Sequence, residues 1–316
     1  MKRPLHRISD LHYRHVVPAV WGPLFELRET LQTLDSCHSV VTPERYQVEL
    51  SERADERTFY VDWTNQNLRI GPPESRRHCT ALYAIEAWAP TMLDSHVAHW
   101  EGFRAAAQDH DLVLGYTPGM VERFRSWGLR AALYPLGWSP EATGGPRWST
   151  PKFESLVWWG SMAGRRQTIL PALSERIGHY LVNLSGAYGR RLIGCLDTAA
   201  VALHVAHTAG ATFPQWRLWQ LMSTSAGLIA EAHPDSWPLE PHHYQRIELS
   251  EDVEVLERQG AWLRDLCETE RLQSLREQAE VRFDELEHYT VKHCIAKYLV
   301  PASMEAFEAR KEWQGT

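Results

Sequence analysis

The chain has no apolar run approaching the roughly 20 residues that a membrane helix needs. Its opening, Met1-Lys-Arg-Pro-Leu-His-Arg7, carries charges and a histidine where a leader would carry a hydrophobic stretch. A soluble, cytoplasmic protein is expected. Cysteine is scarce. Cys37, Cys79, Cys195, Cys267 and Cys294 form an odd, scattered set with no close pair and no metal-ligand spacing, which excludes a disulfide framework and reads as reduced thiols. Basic charge is also in deficit: 33 Lys+Arg against 40 Asp+Glu leave a net charge of −7, so the chain lacks a polybasic footprint for nucleic acid or a membrane surface.

Several catalytic signatures are missing as well. No Gly-x-Gly-x-x-Gly follows a strand candidate, which argues against a dehydrogenase. The turn Gly160-Ser-Met-Ala-Gly164 lacks the Gly-Lys-Ser/Thr ending of an NTPase loop. There is no Gly-x-Ser-x-Gly elbow and no His-Glu-x-x-His. Histidines recur at close spacing (His12/His15, His96/His99, His204/His207, His242/His243), but no third ligand or Cys partner accompanies any pair, so no metal is expected.

What is present is an ordinary globular composition, 44% hydrophobic and 23% charged, with an unusual 14 tryptophans. The indoles either fill two cores or stack on a sugar or base, since each offers a flat apolar face and one donor. Short apolar runs alternate with helical patterns throughout. Strands are expected at 14–20, 38–41, 58–63, 81–88, 111–116 and 131–136, with helices at 24–34 and 93–107. A further helix opens at the Thr117-Pro118 cap signature. The Pro- and Gly-rich segment 139–153 reads as a linker. Beyond it, strands at 155–159, 180–184, 199–205 and 227–230 alternate with helices at 165–176 and 214–223. Strongly helical segments follow at 252–266, 268–283 and 291–299. The expected fold class is therefore α/β, with two facing Rossmann-like parallel-sheet domains, an interdomain cleft and C-terminal helices. The expected boundaries are 1–138, 139–153 for the linker and 154–300, with 301–316 as a helical tail.

One segment carries the most chemistry: Arg217-Leu-Trp-Gln-Leu-Met-Ser-Thr-Ser-Ala-Gly-Leu-Ile-Ala-Glu231. With Thr212 as N-cap and Pro214 in the first turn, Arg217, Gln220 and Thr224 fall on one polar stripe of an apolar helix. A helix end beside a guanidinium suits a diphosphate, because both donate to phosphate oxygens; an Arg in a structural salt bridge is the alternative. Gly160, at the turn that feeds Arg165 and Arg166, makes a second anion-site candidate. Tyr188, in Ser185-Gly-Ala-Tyr-Gly189, is a candidate for stacking on a nucleobase or an ordinary surface-turn tyrosine.

This segment resembles the signature of the spore-maturation-type glycosyltransferases, a branch of the large "group 1" family with the GT-B architecture. Arg217, Trp219, Leu221, Met222, Leu228, Ile229 and Glu231 match in register. The similarity extends to Val157-Trp-Trp-Gly160 with Arg166 and Leu170, to 199–204, to Glu287-His-Tyr-Thr290, and upstream to Asp111-Leu-Val-Leu-Gly and Arg130-Ala-Ala-Leu-Tyr-Pro-Leu-Gly-Trp138. It covers about residues 110–300. The resemblance implies a hexosyl- or pentosyltransferase with an N-terminal acceptor-binding domain and a C-terminal domain for a nucleotide sugar of UDP type. It implies metal independence, the nucleotide sugar as co-substrate and no tightly bound cofactor. Donor-site candidates are then Gly160, Arg166, Tyr188, Arg217, Gln220, Thr224 and Glu231. Two departures matter. The family's Glu in the signature helix is Gln220 here, and a Glu that retaining relatives carry eight positions earlier is Thr212.

For the base that deprotonates the acceptor hydroxyl, Glu86 at the end of a strand candidate comes first and Asp94 second. Asp62 and His15 stand behind them. Alternative functions are transfer to a hydroxylated base in DNA, suggested by Arg69 with Arg76-Arg77-His78, a sugar-nucleotide epimerase, and a non-catalytic nucleotide-sugar-binding module. A saccharide or small molecule is the expected acceptor.

Overall fold

Two all-parallel sheets organise the chain, each with its own core. The computed structural model describes residues 11–17, 28, 30–32, 34, 37–51, 58–63, 70, 78–84, 94–143, 153–187, 189–268 and 271–314, with backbone alone at 50–51, 94–98, 141–142, 153–154, 273 and 311–314. Glu86, Tyr188, Arg69, Arg76, Arg77 and the side chain of Asp94 lie outside the described set.

The first sheet is built from β1 (His12–Val16), β2 (His38–Val41), β3 (Thr58–Asp62), β4 (Cys79–Tyr83), β5 (Leu112–Gly115) and β6 (Ala131–Leu133), in the order β2-β1-β3-β4-β5-β6. β3, β4 and β5 are buried along their whole length, as parallel strands covered on both faces must be. Between strands run α1 (Pro43–Ser51), α2 (Asp94–Ala107) and α3 (Pro118–Ser126). Thr117 caps α3 through a bond from the Met120 amide, with Pro118 in the first turn. The same signature stands at Thr42-Pro43, where the Thr42 hydroxyl accepts from the Arg45 amide. That pair would have revealed α1, which the pattern reading passed over.

The second sheet holds β7 (Phe153–Gly160), β8 (Leu181–Ser185), β9 (Ala199–His204), β10 (Gly227–Glu231) and β11 (Gln245–Ile247), ordered β11-β10-β9-β7-β8. Its helices are α4 (Pro140–Thr143), α5 (Arg166–Ile177), α6 (Gly189–Leu196), α7 (Gln215–Leu221), α8 (Val253–Glu268) and α9 (Leu272–Leu286). β9 and β10 are wholly buried. A Cβ on Gly227 would lie 2.7 Å from the Leu275 carbonyl oxygen, so α9 packs on β10 at a distance only glycine allows. β11, three residues long, leaves no periodic signal, and neither it nor α6 was anticipated, although Leu192, Ile193 and Leu196 form a buried face on α6.

The chain divides into two compact units: 1–86, 93–137 and 290–316 form one, and 87–92 with 138–289 the other. The C-terminal helices α10 (Val291–Cys294) and α11 (Val300–Gln314), joined by a π-helical turn at Ile295–Leu299, therefore belong to the first unit. An amphipathic pattern fixes the apolar face of a helix but not the core that receives it, so the expected division at 300 differs from the observed one. Phe307 packs on Phe59, and the Tyr13 hydroxyl bonds Ser303. Arg310 donates to both carboxylate oxygens of Asp111, at 2.9 and 3.1 Å, and to the His78 carbonyl at 2.8 Å. His78 is itself buried against Tyr60, which removes it from the exposed basic cluster expected around Arg76 and Arg77. No helix among the described residues is long and apolar enough to cross a membrane, and all five cysteines are free thiols.

Because Asp111 and Arg310 are both nearly fully buried, removing one partner strands the other charge. We expect Arg310→Ala to lower unfolding free energy by about 3–5 kcal/mol, read as a lower urea midpoint.

Candidate functional site

In an open doubly wound sheet, ligands bind beyond the carboxyl ends of the strands where the strand order reverses. The second unit has its reversal at β7, with β8 on one side and β9 on the other. Gly160 ends β7 there with φ of 122°, a backbone state that only glycine adopts without strain. A Cβ at this position would lie 2.1 Å from Nη2 of Arg217. The Arg217 guanidinium, 1% exposed, projects from α7 and is held over the rings of Trp159 and Trp216, at 5.2 and 4.9 Å from their centroids. Ring quadrupoles attract such a cation.

Gln220, one turn further along α7, accepts a 2.9 Å bond from Nε1 of Trp159. An indole N–H can only donate, so this contact fixes which amide end of Gln220 is oxygen. Arg166 donates to the carbonyls of Val205 and Ser161, tying the loop after β9 to the turn after β7. Glu231, at the end of β10, pairs with Arg165 and accepts from the Ala206 amide. Burial pushes its carboxyl up from the usual range, against the opposing pull of Arg165 and that amide. Gly160, Arg166, Arg217, Gln220 and Glu231 thus converge on the carboxyl edge of one sheet. Arg165, expected with Arg166 after the Gly160 turn, and Trp159, from the matched segment before it, join them; the partners of Arg165, Glu231 and the Leu249 carbonyl, lie far along the chain and gave no local signal.

Thr224 does not join the cluster. α7 ends at Leu221, so the expected i+7 stripe has no helix to run along. The Thr224 hydroxyl is buried at the other end of β10, donating to the Leu221 carbonyl and accepting from the Ala226 amide. Thr212 does not cap α7 either; Pro214 occupies that position, without a side-chain bond.

The first unit reverses its order between β1 and β3, and two of the residues considered for the base lie there: His15, next to last in β1, and Asp62, last in β3. Trp63 donates to Nδ1 of His15 at 3.4 Å, and Nε2 of His15 lies 3.0 Å from Nδ1 of His38. His15 is held well below its ordinary value by burial and then by His38. Asp62 is fully buried beside them. Trp63, Tyr83 and Tyr134 pack ring to ring at 4.2–5.8 Å. Burial pushes both phenols well above their ordinary value, and neither hydroxyl has a hydrogen-bond partner. Asp94 opens α2, and Glu86 falls outside the described residues.

Among the described residues one trio presents three potential metal-ligand atoms, His242, His243 and Glu285. Nε2 of each histidine lies 2.9 Å from one Glu285 oxygen. Nδ1 of His243, however, accepts from the Glu240 amide, which puts the ring proton on Nε2, facing Glu285. A ligating histidine donates from its other nitrogen instead. The trio is a satisfied hydrogen-bond cluster as it stands.

No family model matches the chain, and no curated protein matches its sequence. Among solved structures, Anabaena HepE in complex with UDP is 9% identical with a TM-score of 0.59, over 90% of this chain and 97% of that one. A variant of TarM from S. aureus, in complex with fondaparinux, alpha-GlcNAc-glycerol and UDP, is 8% identical with a TM-score of 0.59, over 83% and 57%. The pneumococcal O-GlcNAc transferase GtfA, in complex with UDP and GlcNAc, is 12% identical with a TM-score of 0.55, over 83% and 59%. The chain thus spans less than two thirds of the TarM and GtfA chains. At these identities the likeness is one of fold, two parallel-sheet α/β units of the GT-B type.

The contact between Trp159 and Gln220 generates a stability prediction. Gln220→Leu leaves a buried indole N–H without its acceptor and should cost about 1–3 kcal/mol in denaturant unfolding. Gln220→Glu keeps the acceptor and should be the milder change.

Proposed function

We propose that the chain is a glycosyltransferase that moves a sugar from a nucleoside diphosphate sugar, of UDP type, to a hydroxyl acceptor, with the second unit as the donor half. The observation that carries this reading is a buried guanidinium, pinned between two indoles, at the strand-order reversal where such sheets bind their ligands. Only glycine fits beneath it. A fixed cation of this kind suits a diphosphate. When the acceptor oxygen bonds the sugar carbon and the bond to the diphosphate breaks, negative charge grows on the leaving phosphate, and a preorganised donor stabilises it. The UDP complexes of HepE, TarM and GtfA support the choice of ligand.

In this proposal Arg217 contacts the diphosphate and Gly160 leaves room for it. Gln220 contributes a neutral hydrogen bond where the family has a carboxylate. Arg166 and Glu231, whose polar atoms are engaged within the unit, position the loop after β9. Tyr188 keeps the nucleobase-stacking role assigned by its sequence context, and Thr224 is given none. The first unit binds the acceptor, a saccharide or small molecule. Glu86 is the proposed base and Asp94 the next candidate. Metal independence and the absence of a tight cofactor are part of the same reading.

Calorimetry with UDP tests it. Arg217→Ala should weaken binding by roughly 1.5–3 kcal/mol, the range for a charge-assisted hydrogen bond. Arg217→Lys should restore only part, lacking the planar fork. Unchanged affinity in both would remove Arg217 from the site. Slow hydrolysis of the donor without acceptor would distinguish a transferase from a binding module, and isomerised donor would indicate an epimerase.

Glu86→Gln should abolish transfer while leaving UDP affinity intact, because a proton acceptor is needed only when the hydroxyl attacks. Loss of turnover in Asp94→Asn with Glu86→Gln active would exchange the two assignments.

A further inference from the structure

Two histidines with no part in the reading so far stand at the same sheet edge. His204 ends β9, and His233 lies two residues past the end of β10. Their ring centroids are 5.1 Å apart, with Phe213 packed on both. His233 uses Nδ1 to bond the Ala211 carbonyl at 2.7 Å, which puts its proton on Nδ1 and leaves Nε2 with a lone pair and no partner. Neither ring nitrogen of His204 has a hydrogen-bond partner, although the ring is 1% exposed. A neutral imidazole always carries one N–H and one lone pair. Buried polar atoms of this kind ordinarily find partners, so three unpartnered ring nitrogens in one cluster call for an explanation from function.

The charged groups facing the pair are Arg217 on α7, which acts on both rings, and Arg166 on α5, which acts on His204. Burial holds His204 well below its ordinary value, followed by Arg217, His233 and Arg166. His233 is pushed down to about 4, by burial first, with its bond to Ala211 opposing and Arg217 adding. Both rings are therefore neutral near pH 7, beside a cation whose proposed ligand is a dianion.

We propose that His204 and His233 belong to the diphosphate-binding site and that the pair takes up a proton from solvent when a nucleoside diphosphate binds. The inference rests on the donor-site reading above and deepens it. An arriving diphosphate neutralises the field of Arg217 and Arg166 and offers acceptors to the unpartnered nitrogens, and both effects favour imidazolium. The bound state then holds more protons than the free state, so affinity rises as pH falls. The two histidines thereby tie release of the diphosphate to deprotonation.

The test is calorimetry of UDP binding in two buffers of different ionisation enthalpy, repeated from pH 8 to pH 6. The wild-type chain is compared with His204→Asn, His233→Gln and the double variant. Ionisation of the UDP phosphate is common to all four proteins and cancels in the comparison. The wild type should take up more protons than the double variant, and its affinity should rise by about threefold to tenfold more between pH 8 and pH 6. Each single variant should lose part of that difference, which covers a double variant that does not fold. Equal proton uptake in wild type and variants, with UDP still bound, would overturn the inference and leave the donor site standing. A wild-type chain that does not bind UDP would overturn both.

Discussion

A single buried cation constrains the whole edge of the second sheet. Arg217 is almost wholly withdrawn from solvent, and a charge in that position is costly unless its surroundings compensate. Two indole faces attract it, a glycine leaves it space, and neighbouring imidazoles stay neutral and so add no like charge. Each adjoining residue is limited by that requirement. Position 160 must be glycine, Trp159 must turn its N–H to Gln220, and α7 must begin where it can deliver the guanidinium to the end of β7.

The two acidic and basic partners nearby serve a different purpose. Glu231 and Arg165 satisfy each other, while Arg166 binds carbonyls on two loops. Their role is to hold the turn after β7 and the loop after β9 in register, so that His204 and His233 have fixed positions. The first unit repeats the plan with other chemistry. Its reversal carries a Trp63–His15–His38 chain and two buried phenols in place of a cation.

Much of this was readable from residue order. β2 was anticipated to the residue, and β9 and β10 after the linker were recovered because fully buried parallel strands leave unbroken apolar stretches. The cap signature at Thr117-Pro118 placed α3 for a physical reason that the structure reproduces. Gly160 with Arg166, and Arg217, Gln220 and Glu231, were taken from two separate matched segments, which the structure brings to one sheet edge. Thr224 was misplaced because helical spacing was extended past Leu221, where the backbone leaves the helix. His204 was weighed only with His207 as a close-spaced pair, and His233 carried no signal, because the environment the two share exists only once β9 and β10 are paired. Arg310 was equally silent, since its partner Asp111 is 199 positions away.

That last pairing has a consequence for the order in which the protein is made. β4 and β5 emerge from the ribosome early, yet the helix that packs on them, and the arginine that neutralises Asp111, are translated only after every strand of the second sheet. All contiguous sequence of the second unit from Trp138 to Tyr289 is therefore available while the first still lacks α11. Until then the Asp111 carboxylate has the Thr80 amide and hydroxyl as its partners within the first sheet and lacks its ion pair with Arg310.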